Sequence, residues 1–387
     1  MYILIDMNMK KWNYILLCLL LIACRQEVEV FVPEEEEVGT PEFTSISGFY
    51  LLNEGNMGTN KATLDYYDYE TGIYTRNIYG NANPSVPKEM GDVGNDLKIY
   101  RNKLFAVINC SNKIEVMNAE NAQRIGQINI PNCRYIAFHD KYAYVTSYAG
   151  PVEINPDYKQ RGYVAKVDIE TLQITDTCLV GFQPDELAIV NGKIYVANSG
   201  GYMYPNYENT LSVIDLESFE EVKRIEVDIN LHRVRNDQYE QLWVSSRGDY
   251  YDNPSRLYCI DTKNDIVIDT IAIGCSNMCI VRDSLYFYCT EWSNTEMSNK
   301  ITYGIVNTKN RQLVSSQFIS DGTEKDIQIP YGIMVNPLTN DIYVTDAKNY
   351  VTPGTLYCFG PDGKKKWEVR TGDIPAHFAF VGTFEKE

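Results

Sequence analysis

The sequence predicts an all-β fold, a seven-bladed β-propeller with four-stranded blades, closed by a blade shared between the N- and C-terminal segments. Three observations predict it. A short phrase recurs: NKLFAVIN (102–109), DKYAYVTS (140–147), GKIYVANS (192–199), EQLWVSSR (240–247), DSLYFYCT (283–290) and NDIYVTDA (340–347). Its spacing is roughly 40–55 residues, the period of propeller blades. A second phrase, an apolar residue followed by Asp or Asn and then a polar turn, tracks the first: YYDYET (66–71), KVDIET (166–171), VIDLES (213–218), CIDTKN (259–264) and IVNTKN (305–310).

Each element has a local reason. Strand A is a short apolar alternation, as at 187–189, 333–335 and 378–380, and period-two alternation is the strand signal. A tight turn leads to strand B, which carries the first phrase. A variable loop follows, then strand C ends in the Asp/Asn turn, whose side chains bond nearby backbone. Strand D closes the unit. Complete units are expected at 96–130, 133–180, 184–227, 231–273, 275–319 and 330–371. The remainders, 376–381 as strand A and 48–79 as strands B to D, make one more blade and hide both free sheet edges. The propeller is thus expected over 47–387, without a convincing amphipathic helix.

Ahead of it, Lys10 and Lys11 precede an apolar run from Tyr14 to Ala23 that ends in Cys24. This reads as a signal peptide over 1–23 and not as a span, which needs about 20 apolar residues. Leu-Leu-Ile-Ala-Cys at 20–24 resembles a bacterial lipobox, which implies lipidation of Cys24. Residues 24–46, rich in Glu, read as an acidic flexible stalk. Glu27 and Glu29 resemble in part the surface-export signal of Bacteroidetes lipoproteins. The net charge of −17 and the pI near 4.7 argue against nucleic acid, whose phosphates need Lys/Arg patches, and against adhesion to anionic lipid other than through an anchor.

The D–A connections and B–C loops share one face, and the B–C loops carry aromatic residues: Tyr148 and Tyr158, Tyr202, Tyr204 and Tyr207, Tyr250 and Tyr251 after Arg247, Trp292 after Glu291, and Tyr350. Large aromatics in loops either pack against neighbouring loops or bind something. Aligning the blades at the start of strand A puts Asp96, Tyr135, Glu186, Arg233, Asn277, Gly332 and His377 in one column, after a column with Arg134, Asp185, His232 and Tyr331. A propeller channel is wet and needs a polar lining in any case. The functional reading is a polar floor under aromatic walls, the composition of a small-molecule site. The candidate ligand-binding residues are therefore Asp96, Arg134, Tyr135, Glu186, Tyr202, Arg233, Arg247, Asn277, Trp292, Tyr331 and His377.

With three histidines and no metal-ligand spacing, no metal site is expected. No nucleophile elbow, phosphate loop or dinucleotide fingerprint occurs, so the chain reads as a binding protein and not an enzyme, without a cofactor. Cysteines Cys110 with Cys133 and Cys275 with Cys289 lie at the ends of B strands and starts of A strands on one face, which leaves two disulfide pairings open.

The phrases IYVANSG (194–200) and IYVTDAKN (342–349) resemble the YVTN repeat of bacterial surface propellers. Lipobox, acidic stalk, YVTN-type ring with Tyr-rich loops and the opening FYLLNEGNMGTNKATLDYYD (49–68) together resemble the surface lipoproteins of gut Bacteroidetes that capture vitamin B12 (the BtuG family). That resemblance implies cobalamin as ligand on the loop face. It also implies delivery to a TonB-dependent (BtuB-type) outer-membrane transporter, and an outer-membrane, lipid-anchored location facing the exterior. A glycan-binding or adhesion propeller is the alternative, since Tyr and Trp platforms also stack on sugars.

Overall fold

Strand B is dry through most of its length, least so in blade 5, where Tyr286 is partly buried and Glu291 exposed. Leu104–Ile108 in blade 1, for instance, is fully buried along its length. A four-stranded sheet offers two faces, and only a neighbouring blade on each side covers both. The computed structural model describes residues 34–40, 44–293 and 298–382. It contains seven antiparallel sheets. Blades 1 to 6 span 94–129, 133–179, 184–226, 231–271, 277–315 and 330–373. Blade 7 joins Pro375–Gly382 as strand A to Ile46–Asn53, Thr63–Asp68 and Ile73–Arg76. Strand A of each blade packs on strand A of the next, from blade 1 round to blade 7 and back to blade 1, so the ring is closed.

The core lies between blades. Phe105, Val107, Ile114 and Val116 of blade 1 meet Ile136, Ala143, Val145 and Ala165 of blade 2. Each such Phe, Val or Ile side chain contributes about 1.5–3 kcal/mol when fully buried. In blades 1 to 6 strand D is the open edge and is mostly exposed, as in Gln173–Leu179. The polar turns after strand C form as expected. Asp168 accepts the N–H groups of Glu170 and Thr171, both at 3.0 Å, and Asp215 accepts that of Ser218 at 2.8 Å.

Four details depart from the sequence reading. Within the expected stalk, Glu34–Glu37 is a fifth strand on blade 7, paired antiparallel with Ile73–Arg76. All four glutamates are exposed, and Arg76 pairs with Glu34 and Glu36. The open edge of strand D supplies the backbone partners, so no apolar pattern is needed, and four charges blunt the new edge. Strand D of blade 7 stops at Arg76, and a short helix, Ile78–Ala82, follows in place of further strand. The expected loop around Trp292 is the continuation of a long hairpin, Ser284–Ser293 with Ser298–Asn307, in which Trp292 pairs with Asn299. Neither open disulfide pairing forms, and Cys110, Cys133, Cys275 and Cys289 stay as thiols. The expected leader and Cys24 lie outside the described residues.

Candidate functional site

The start of strand A in blades 2 to 4 gathers four arginines and two carboxylates. Asp185 is fully buried and lies 3.4 Å from Arg134 Nε and 3.0 Å from an Arg247 terminal nitrogen. The Tyr148 hydroxyl donates to it at 2.7 Å, and the Arg134 guanidinium sits 4.7 Å over the Tyr148 ring. Glu186 takes the Val234 N–H at 2.9 Å and pairs with Arg235, while Arg233 stands 3.9 Å away. Arg233 donates to the Tyr135 hydroxyl at 3.1 Å, and that hydroxyl lies 3.2 Å from His232 Nε2. Burial first, then the charges of Arg247, Arg233, Arg134 and Arg235, hold His232 well below the ordinary imidazole value. It is therefore a neutral partner for Tyr135.

Across the axis, Glu54 receives the Tyr331 hydroxyl at 2.9 Å and lies 3.0 Å from His377 Nε2. Asp96 accepts the Ile136 N–H at 3.1 Å, and Asn277 donates to the Tyr331 carbonyl at 3.0 Å. Asp96 of blade 1 and Glu186 of blade 3 therefore perform the same task two blades apart, fastening the next strand A through its backbone. Burial alone would raise Asp96, but Lys98, His377, the Ile136 N–H and Arg235 together hold it below the usual carboxylate value.

The loop face outside this cluster is aromatic. Tyr204 lies 6.0 Å from Tyr207 and 6.2 Å from Tyr251, ring centre to ring centre, which joins the B–C loops of blades 3 and 4. Tyr251 is 74% exposed and Tyr250 69%, so this group is a surface and not loop packing. Tyr148 and Tyr158, by contrast, are buried and belong to the packing alternative. Two buried polar atoms on this face, Gln183 Nε2 and Asn230 Oδ1, have no hydrogen-bond partner, and Arg134 Nε has only its 3.4 Å ion pair with Asp185. Gln183 uses its carbonyl on the Tyr202 N–H at 2.7 Å, and Asn230 uses its amide nitrogen on the Gly248 carbonyl at 3.0 Å. A Cβ on Gly201 would stand 3.3 Å from Asn230 Oδ1, so glycine there keeps the approach open.

The structure brings Arg134, Tyr135, Glu186, Arg233 and Arg247 into one cluster with Tyr202 at its edge, the Tyr202 ring lying 6.4 Å from that of Tyr148. Tyr331 and His377 meet each other through Glu54. Asp96 and Asn277 line the channel but spend their bonds on neighbouring strands. The side chain of Trp292 lies outside the described residues. Asp185, Glu54, Gln183, Asn230, Lys98 and Arg235 were missed as site residues. Lys98 and Arg235 follow the aligned column by two, the strand repeat that keeps side chains on one face, so that signal was present. Glu54 sits after strand B and had none. Among the described residues no group of His, Cys, Asp and Glu is arranged to hold a metal ion.

Solved propellers resemble the chain in fold. A protein of Bacteroides fragilis named for a proposed 6-phosphogluconolactonase activity aligns with TM-score 0.59 at 10% identity, over 88% of this chain and 99% of that one. A quinoprotein alcohol dehydrogenase-like protein of Bacteroides thetaiotaomicron gives 0.57 at 12%, over 88% and 79%. Hydrazine synthase of Kuenenia stuttgartiensis gives 0.57 at 16%, over 70% and 77%. Names so different, at such identities, show the fold alone. No curated protein matches the sequence. The model of one family, DUF5074, described as a domain of unknown function, matches residues 47–373, and the chain belongs to that family.

Proposed function

We propose that the protein is a non-catalytic capture protein that binds cobalamin on its loop face. It is anchored at the outer membrane through Cys24, facing the exterior, and hands the ligand to a TonB-dependent transporter. The observation that carries the reading is the surface tyrosine group of Tyr204, Tyr207 and Tyr251, on the same loop face as the buried amide atoms Gln183 Nε2 and Asn230 Oδ1, which have no hydrogen-bond partner. Cobalamin is a broad disc edged with amides. Tyrosines give it rigid contact area at low entropy cost, and the orphaned donor and acceptor match amide edges, which a desolvated site rewards. The sequence resemblance supplies the identity of the ligand, the anchor and the transporter, and the geometry supplies a surface compatible with that ligand.

Titration of the purified protein with cyanocobalamin tests this. Saturable one-site binding that weakens on Tyr251→Ala and Tyr204→Ala supports it. Absence of heat and of co-elution of the coloured ligand refutes it. Retention of a glycan through the same two tyrosines would then favour the sugar-platform alternative.

A further inference from the structure

The central channel holds a cavity of about 490 Å³ that the proposed capture site does not use. It runs from the start of strand A, at Asp96, Arg233, Asn277 and His377, down to the A–B turns at Asn236, Arg282 and Pro337. That is the face opposite the tyrosine group. Its walls are unlike one another. Blades 5, 6 and 7 present apolar side chains, among them Ile280, Ile333, Met334, Phe378 and Phe380, and blades 1 and 4 present Lys98, Arg233 and Arg235.

The charge balance inverts that of the whole protein. Four cations line the cavity, Lys98, Arg233, Arg235 and Arg282, against one lining carboxylate, Asp96. Glu186, outside the lining, pairs with Arg235 and stands near Arg233. Glu54 likewise lies 3.0 Å from the lining His377, so four cations against three carboxylates leave an excess of one positive charge, in a chain whose net charge is −17. Arg233 adds a second, independent sign. Its side chain is 9% exposed, it lines the cavity, and its Nε has no partner. A buried guanidinium with an unused N–H carries a desolvation cost that an acceptor would relieve. Volume also fits, because small-molecule pockets run from about 300 to 1,000 Å³.

We propose that this channel is a second binding site, for a small organic anion with an apolar body. The anionic group sits against Arg233, Arg235 and Lys98, and the body lies on the Ile333, Phe378 and Phe380 wall. The proposal is independent of the cobalamin reading, since none of the residues that carry that reading lines this cavity.

A matched pair of probes isolates the charge: naphthalene-2-acetate and the neutral naphthalene-2-acetamide, each titrated calorimetrically into the purified protein. The acetate is expected to bind at one site, about tenfold or more tighter than the amide, with affinity that falls as salt is raised. Lys98→Met and Arg282→Met, at partly exposed positions, are expected to weaken the acetate by about threefold or more and leave the amide unchanged. Their melting temperatures report that the fold is intact. Tyr251→Ala is expected to leave the acetate unaffected, which keeps this result separate from that with cyanocobalamin. Equal affinity for both probes, no saturable binding of the acetate, or indifference to both substitutions overturns the proposal.

Discussion

Replacing Asp185 by Ala tests whether the arginine cluster is held by a single buried counter-ion. The Asp185 side chain is fully buried and faces Arg134 and Arg247, whose side chains are 12% and 28% exposed. Its removal strands two guanidinium groups and the Tyr148 hydroxyl, which donates to it at 2.7 Å. Breaking a buried pair by removing one partner costs about 3–5 kcal/mol. Water reaches part of Arg247, so the lower end applies, about 3 kcal/mol. Asp185→Asn keeps an acceptor for Tyr148 and should lose less. The assay is equilibrium urea unfolding, with the midpoint shift converted through a shared denaturant slope. The double variant Asp185→Ala with Arg247→Met removes one stranded charge along with its partner. It should therefore be more stable than additivity predicts, by about 1–2 kcal/mol. A loss under about 1 kcal/mol for Asp185→Ala, or an additive double variant, would refute the claim that this carboxylate organises a desolvated cluster.

Other expected outcomes are more local. Tyr204→Ala and Tyr251→Ala should each weaken cyanocobalamin by about tenfold with little change in melting temperature, read by titration and thermal unfolding. His232, held neutral when folded, binds fewer protons than the unfolded chain below its ordinary value of 6.5. Its contribution to stability is therefore complete above pH 6.5 and lost as pH falls below it; His232→Asn should flatten that slope in urea unfolding at pH 5 to 7. A Cβ on Gly354 would meet Pro375 Cδ at 2.4 Å and the Asp346 carbonyl at 2.7 Å. Gly354→Ala should thus cost about 1–3 kcal/mol by overpacking, measured by the same unfolding. Removing the exposed Glu34–Glu37 strand should cost no more than about 1 kcal/mol, because its ion pairs with Arg76 are surface pairs.

Much of the fold was legible because a propeller writes itself into sequence seven times. Strand B is largely dry on both faces, so the same apolar run must recur, as at 104–108 and 194–197. Asp168 and Asp215 cap the turns after strand C by their own short-range bonds, and a bond within three residues needs only local sequence. The Glu34–Glu37 strand was illegible for the opposite reason. It pairs through backbone alone with an edge some 40 residues away, and backbone pairing leaves no trace in side-chain pattern.

The candidate site divides along the same line. Alignment of strand-A starts placed Arg134, Tyr135, Glu186 and Arg233 in neighbouring columns, and the structure groups them. Alignment gave no means to separate Asp96, which fastens Ile136 of the next blade, from Arg233, whose Nε is left without a partner. Both are polar residues at one repeat position. Nor did it separate buried Tyr148 from exposed Tyr251, since loop composition is alike in both.

The sequence by itself determined the repeat, the number of blades, the closing of the ring by both termini and the face on which the aromatic loops gather. These depend on periodicity and short-range bonding, which each unit repeats in its own residues. Only the tertiary structure decided that Asp185 is the common partner of Arg134, Arg247 and Tyr148. It alone placed Glu54 between Tyr331 and His377 and gave the channel an apolar wall flanked by cationic side chains. Those relations join blades far apart in the chain, and the distance between two side chains on different blades is fixed by closure of the ring and not by any local pattern.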